Sequence, residues 1–360
     1  MQLALEAAER ARGRTSPNPI VGSVIVKHGI LIASGYHKKA GDAHAEIMAL
    51  KQAKERAQGA DVYVTLEPCA HHGRTGPCAA ALIEAGVKRV FVGIRDLNPL
   101  VQGRGIRALR QAGIEVFVGV LASECRRQNE AFFHYIQHKR PFVIVKSAQS
   151  LDGKIATYQG DARWITSEAS RRYGHRLRNE CDVIVVGVGT VLTDNPTLNC
   201  RLPRGRDPVR LVVDSEARTP VNANIVRIAK TSLAKTLIAV TNKAPQARCR
   251  ALSKAGAELI VCPSLEGRVD LPYLLDELGR REFLSLLVEG GPTLTGALFD
   301  AHLVNKVLSF VAPRILGNQQ ALSAVGGTGA GQLSESIFLH SFSIEPIGPD
   351  FLITGYPHYP

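Results

Sequence analysis

His44-Ala45-Glu46, Glu67-Pro68-Cys69 and Pro77-Cys78 follow one another in that order along the chain. Imidazole and thiolate are ligands suited to zinc, and three protein ligands leave a fourth position for water. Zinc lowers the pKa of such a water to about 7. A carboxylate beside it can carry the proton onward. The local setting supports the pattern. His44 and Glu46 open a predicted helix, Ala43–Arg56. Two residues apart they would diverge in mid-helix, but at the first turn both address a site beyond the helix end. Cys69 follows a predicted strand, Val62–Thr65, and Cys78 opens the next predicted helix, Cys78–Ala85. Free N–H groups and the dipole at a helix start favour a thiolate there. Strand, loop and helix thus repeat around one point, which is an α/β arrangement.

Outward from this point the alternation continues. Helices are predicted over Gln2–Ala11, Arg104–Ala112 and, as one longer unit, Ser123–His138. Strands are predicted over Val21–Val26, Ile30–Gly35, Arg89–Gly93 and Glu115–Val118. Such alternation predicts a three-layer α/β domain. His138-Lys139-Arg140-Pro141 is a polar stop before an apolar run, so the boundary is placed there, giving domains 1–140 and 141–360. The second half begins with a buried-type strand, Phe142–Ser147, and a helix Ser167–Asn179 capped by Thr166 or Ser167. Strands Val183–Val186, Val209–Asp214, Thr236–Thr241, Glu258–Val261 and Leu284–Val288 alternate with helices Pro245–Ala255, Leu271–Leu278 and Thr293–Ala301. Lys306–Val311 and a C-terminal pair of short strands close the domain.

The 360 residues suit two domains at roughly 100–200 residues each. Hydrophobic residues make up 45% and charged ones 21%, ordinary for a soluble protein. No apolar run approaches the roughly 20 residues of a membrane span, and Met1–Arg12 lacks the apolar core of a signal peptide. A cytoplasmic protein is expected. The net charge of +12 is spread as singles and pairs without a basic arm. It favours a phosphorylated small molecule over nucleic acid or membrane. The cysteine count is odd, at seven, which argues against a disulfide framework.

The pattern His-x-Glu with a later Pro-Cys and second Cys is similar to that of the zinc deaminases, where Glu is the acid/base and not a ligand. One departure is the gap between the cysteines, which spans Ala70 to Pro77 instead of two residues. Two other readings stand beside the catalytic one. His71 or His72 would complete a closed, purely structural four-ligand site, or the two cysteines would be unrelated buried hydrophobes. Neither explains Glu46.

Thr15-Ser16-Pro17-Asn18-Pro19-Ile20-Val21-Gly22, Gly35-Tyr36-His37, His44-Ala45-Glu46 and the run Thr65-Leu66-Glu67-Pro68-Cys69 through Cys78 together resemble the bifunctional deaminase/reductase family of riboflavin biosynthesis. The long gap between the cysteines is itself typical of that family. The resemblance continues through Lys146-Ser147-Ala148-Gln149-Ser150-Leu151-Asp152-Gly153-Lys154, Trp164-Ile165-Thr166-Ser167, Val186 to Pro196 and Glu289-Gly290-Gly291-Pro292-Thr293-Leu294. It therefore covers nearly the whole chain. It implies a cytidine-deaminase-like fold in the first half and a dihydrofolate-reductase-like fold in the second, with one zinc ion, NADPH, a phosphorylated pyrimidine substrate and a homo-oligomer. His44, Cys69 and Cys78 would hold zinc, Glu46 would move protons, Asn18 would bond the ring, and His71 and Arg74 would cover the ribose phosphate. The other reading of His71, His72 and Arg74 is an ordinary solvated loop.

In the second half, Gly187-Val188-Gly189-Thr190 and Gly290-Gly291-Pro292-Thr293 each follow a predicted strand. Glycine turns at strand ends can cradle phosphate, although the full Rossmann fingerprint is absent. The resemblance implies that Lys146 is catalytic and that Arg178, Leu198, Arg201 and Glu289 bind substrate. By the same resemblance, Ala148, Trp164, Thr190, Asp194, Ser215, Gly290, Gly291, Pro292, Thr293, Leu294, Thr295, Gly296 and Ala297 bind the cofactor. Asp194 and Glu289 read equally as structural caps, and Trp164 as a core anchor. Two rivals remain for the chain as a whole. One is a nucleic-acid or nucleoside deaminase, which would use the positive charge but has no need of a second domain. The other is a binding module with structural zinc.

Overall fold

Val62, Val64, Val90 and Val92 are buried and alternate with half-exposed neighbours, as a period of two demands of strands covered unequally on their two faces. They form the middle of the first sheet. The computed structural model describes residues 1–70, 76–99 and 101–360. It divides into two units, Met1–Lys139 and Arg140–Pro360.

The first unit runs α1 (Gln2–Glu9), β1 (Gly22–Lys27), β2 (Ile30–Tyr36), α2 (Ala45–Ala53), β3 (Asp61–Leu66), α3 (Cys78–Glu84), β4 (Arg89–Ile94), α4 (Arg104–Gln111), β5 (Glu115–Val118), α5 (Ala122–Gln128) and α6 (Glu130–His138). The strand order is β2-β1-β3-β4-β5. β1 is antiparallel to β2 and β3, and β3, β4 and β5 are mutually parallel. The parallel strands deliver their carboxyl ends, and the residues that follow them, to one edge. Gly35 lets α2 press onto β2, because a Cβ there would stand 2.4 Å from the Ala45 carbonyl oxygen.

Ser123–His138 is not a single helix but two, parted at Asn129, whose φ of -118° and ψ of 25° leave the helical region. The cause lies far along the chain. The buried Asn129 amide accepts from the Ile20 N–H at 2.9 Å and donates to the Ile20 carbonyl at 2.9 Å. These two bonds tie down the turn that carries Asn18. Asn129→Ala removes both and leaves buried polar groups of Ile20 without partners, so a loss of about 2 kcal/mol is expected in urea unfolding. An unchanged midpoint would show that the tie is not structural.

The second unit runs β6 (Phe142–Ser150), α7 (Glu168–Glu180), β7 (Val183–Gly187), α8 (Val188–Asp194), β8 (Val209–Val213), α9 (Asn224–Arg227), β9 (Thr236–Thr241), α10 (Gln246–Lys254), β10 (Glu258–Cys262), the short pair β11 (Ser264–Leu265) and β12 (Arg268–Val269), α11 (Leu271–Arg280), β13 (Ser285–Val288), α12 (Pro292–Asp300), β14 (Lys306–Ala312), β15 (Phe338–Ile347) and β16 (Asp350–His358). Nine strands make its main sheet, in the order β10-β9-β8-β7-β13-β6-β14-β16-β15. From β10 to β14 every pairing is parallel, and the last two are antiparallel. Ile184 and Val186 join one hydrophobic cluster while Val183 and Val185 join another. A sheet whose alternate side chains enter two cores is covered on both faces, which is the three-layer arrangement. The C-terminal strands are ten and nine residues long, not short. The helix α7 is capped by Ser167, whose hydroxyl accepts from the Ser170 N–H.

Candidate active sites

The first site forms where α2 and α3 begin and β3 ends. His44 is the N-cap of α2, so its side chain stands at the helix mouth with Glu46 in the first turn. Cys78 is the first residue of α3. The ligand atoms of His44, Cys69 and Cys78 all lie within 4.8 Å of one another. His44 Nδ1 is 3.2 Å from Cys78 Sγ and 3.6 Å from Cys69 Sγ. Zn–N and Zn–S bond lengths in a tetrahedron imply an edge of about 3.6 Å. The donor set and its spacing therefore fit zinc.

The electrostatics agree. The Cys78 S–H hydrogen bond, opposed by burial and aided by His44, draws the Cys69 thiol down to about 4. The same contact with Cys69, together with burial, pushes Cys78 well above the usual thiol range. The hydrogen bond to Cys69 raises His44. Glu46 is 3% exposed. Burial first, and the Cys69 thiolate second, push its carboxyl up to about 7. These protons crowd one thiolate, and a dication among them would release them, since metal sites of thiolate and imidazole bind with proton loss.

Asn18 is linked to the cluster through His37, whose ring centre is 5.4 Å from that of His44. Its Nδ2 is 3.1 Å from His37 Nε2, and His37 Nδ1 is 3.2 Å from the Ala43 carbonyl oxygen. Only a donor can face a carbonyl, so His37 carries its proton on Nδ1 and accepts from the Asn18 amide. Burial lowers the His37 pKa, which favours the neutral ring. The Asn18 amide is thereby oriented. In the sequence His37 stands out only as the last residue of Gly35-Tyr36-His37. His71 and Arg74, with His72, lie outside the described residues.

The second site stands at the carboxyl ends of β7 and β13, beside the middle of β6. Glu289 follows β13, and the adjacent strand β6 carries Lys146. Arg178 on α7 meets Glu289 through two bonds, Nε to Oε1 at 2.9 Å and Nη2 to Oε2 at 2.7 Å. Its Nη1 donates to the Asn199 carbonyl at 3.1 Å. Burial alone would raise the Glu289 carboxyl, but Arg178 and Lys146 hold it down at about 2. Burial lowers the Lys146 ammonium, and Glu289 opposes that shift. Its Nζ lies 5.7 Å from the centre of the Phe310 ring.

The two glycine turns lie side by side, since β7 and β13 pair in parallel. A Cβ on Gly291 would stand 3.8 Å from Thr190 Oγ1, and one on Gly187 3.7 Å from Leu294 Cβ. Gly290 to Ala297 thus begin α12 beside Thr190 of α8, with Pro292 at the first turn and Gly291 as N-cap. Thr293 is exposed, whereas Leu294, Thr295 and Gly296 are buried. Trp164 is 58% exposed, so it is not a core anchor. The Arg171 guanidinium covers its ring at 4.6 Å. Asp194 is exposed at the end of α8, and its carbonyl accepts from Arg163. Ser215 follows β8, and its hydroxyl accepts from the Val269 N–H at 3.1 Å. Ala148 sits on β6, half-buried against the core. Leu198 is 4% exposed with its side chain in that core, so only its backbone is free to meet a ligand. Arg201 is exposed beside His175, which accepts from its backbone N–H.

A partly buried His–Cys–Cys cluster with a buried carboxyl at its side, in a chain whose second unit is a separate α/β sheet with paired glycine turns, defines a zinc deaminase joined to a second enzyme. Residues 1–94 match the cytidine and deoxycytidylate deaminase zinc-binding region, and residues 141–353 match the RibD C-terminal domain. The riboflavin biosynthesis protein RibD of Actinobacillus pleuropneumoniae is 46% identical over 98% of this chain and 93% of its own length. That of Escherichia coli is 40% identical over 97% and 96%. Among solved structures, the diaminohydroxyphosphoribosylaminopyrimidine deaminase/5-amino-6-(5-phosphoribosylamino)uracil reductase of Thermotoga maritima is 35% identical, with a TM-score of 0.86 over 99% of this chain and 97% of that one. The chain belongs to the RibD family, the bifunctional deaminase/reductases of riboflavin biosynthesis. Its cofactors are zinc in the deaminase part and NADPH in the reductase part. The rivals of a nucleic-acid deaminase and a structural zinc module fall with this assignment. No helix among the described residues is long and apolar enough to cross a membrane.

Proposed function

We propose that residues 1–140 deaminate a diaminopyrimidinone bearing a ribosylamino 5′-phosphate, and that residues 141–360 then reduce its ribose to a ribityl chain. The observation that carries this reading is the convergence of His44, Cys69 and Cys78 within 4.8 Å beside buried Glu46. These three residues hold the zinc. The ion, when bound, supplies the Lewis acidity that makes a water nucleophilic at neutral pH. Glu46 accepts the proton of the attacking water and returns it to the departing amine, which leaves as ammonia. Asn18, oriented by His37, hydrogen-bonds the ring, and His71 and Arg74 meet the ribose phosphate.

In the second unit NADPH, when bound, supplies a hydride for the sugar C1′ carbon. Lys146, Arg178 and Glu289 form one charged group beside that carbon's site. Lys146 positions the sugar, and Glu289 fixes both cations and accepts from a sugar hydroxyl. Arg201 meets the 5′-phosphate, and a guanidinium suits that anion. The backbone of Leu198 borders the same substrate. Ala148, Trp164, Thr190, Asp194, Ser215 and Gly290 to Ala297 bind the nicotinamide nucleotide, with the start of α12 facing its phosphates. The enzyme works in the cytoplasm as a homo-oligomer on this small molecule, without nucleic acid.

Zinc stripping tests the division of labour. Dialysis against a chelator should abolish ammonia release and leave reduction of pre-deaminated substrate intact. One zinc per chain should restore deamination, with protons released on rebinding. Loss of both activities on stripping would contradict the assignment of zinc to one unit.

A further inference from the structure

Glu67 belongs to the Glu67-Pro68-Cys69 turn, yet neither reaction uses it. Its side chain is buried, with the residue 4% exposed. Among the described residues, four backbone N–H groups converge on its carboxylate. Oε2 accepts from Asp96 at 3.3 Å and from Gly103 at 3.0 Å. Oε1 accepts from Gly105 at 3.1 Å and from Ile106 at 3.2 Å. Gly103, the N-cap of α4, has no side chain to cap that helix. Glu67 therefore caps it from a distant part of the chain, satisfying free N–H groups and placing negative charge at the positive end of the dipole.

The contact is close as well as charged. A Cβ on Gly105 would stand 1.8 Å from the Pro68 carbonyl oxygen, so the first turn of α4 rests directly on the peptide that leads into Cys69. On the backbone, the Glu67 N–H donates to the Ile94 carbonyl at 3.0 Å. On the far side of Cys69, α3 takes hold. The Ala79 N–H donates to the Cys69 carbonyl at 3.1 Å, and the Cys78 N–H lies 3.4 Å from Cys69 Sγ. Cys69 is thus gripped from both directions by the starts of two helices.

We propose that Glu67 is a positioning residue of the zinc centre: by locking α4 onto the Glu67-Pro68-Cys69 turn, it fixes the Cys69 thiolate and so governs metal retention and deamination without touching metal or substrate. Glu67→Gln keeps the size but turns an amide NH2 toward two backbone donors. Removing a partner that orients a metal ligand costs about 10–100-fold in affinity or activity.

The test follows zinc transfer from the holoenzyme to a chromogenic chelator, together with both activities and thermal stability. Leu109→Ala serves as the control, since it opens a cavity in the same helix α4 at a fully buried core position. Glu67→Gln should release zinc at least about tenfold faster and lower the deaminase kcat by a similar factor, with reductase kcat unchanged. Leu109→Ala should lose stability while releasing zinc at close to the parent rate. If Glu67→Gln cannot be purified, Glu67→Asp, whose carboxylate falls one methylene short, is read the same way. Parent-like zinc release in the Glu67 variant, or equal acceleration in Leu109→Ala, would overturn the proposal.

Discussion

Glu46→Gln is expected to lower ammonia release by about 10²–10⁴-fold, the usual contribution of a positioned acid/base, while zinc content and reductase activity stay at the parent level. The reasons are local. Glu46 stands in the first turn of α2, two residues beyond the ligand His44, and is buried against the cluster. It is not among the three clustered ligands. Glutamine preserves its shape and hydrogen-bonding reach but cannot accept the proton of water. Metal analysis and the two separate assays on one preparation check this. If zinc is lost along with deamination, Glu46 holds the site together and is not its proton carrier. If reduction falls as well, the two units do not act independently.

Glu289→Leu is expected to destabilise the second unit by about 3–5 kcal/mol, because it strands Arg178 as an uncompensated buried charge. Both partners are largely buried, with side chains 15% and 11% exposed. Reduction should be lost and deamination kept. The pH dependence gives the sign. The Glu289 carboxyl is held at about 2 in the folded protein, against about 4.3 in an unfolded chain. Its contribution is therefore full above the unfolded value and fades as pH falls toward the folded one. Urea unfolding of parent and variant should differ most above about pH 5, and the gap should narrow as pH falls from 4 toward 2. A gap that stays constant over that range would show that lost packing, not lost charge, is responsible.

The zinc centre was largely legible in the sequence, because its ligands sit at element ends that local signals mark: a helix start at His44, a strand end before Cys69 and a helix start at Cys78. Strands such as Val183–Gly187 were legible from continuous apolar runs, the mark of burial on both faces. What stayed hidden depends on distant partners. The break at Asn129 is set by Ile20, 109 residues away, inside a stretch whose composition reads as continuous helix. The role of Glu67 needs the start of α4, whose amides lie 36 to 39 residues further on. The Arg178–Glu289 pair spans 111 residues, so sequence could name both residues but not show that they meet. By type alone Trp164 could also be a core anchor, the alternative to its cofactor role, and only the fold reveals its exposed ring under Arg171.

In the proposed function, one chain deaminates first and reduces second. The most direct measurement follows ammonia release and loss of NADPH absorbance together, starting from the diaminopyrimidinone ribosylamino phosphate. Ammonia should appear at once, and NADPH consumption should follow after a lag. Adding Glu46→Gln enzyme alone should give neither, and supplying it with pre-deaminated substrate should restore NADPH consumption without a lag. NADPH consumed before any ammonia, or no ammonia from fully zinc-loaded enzyme, would contradict the account.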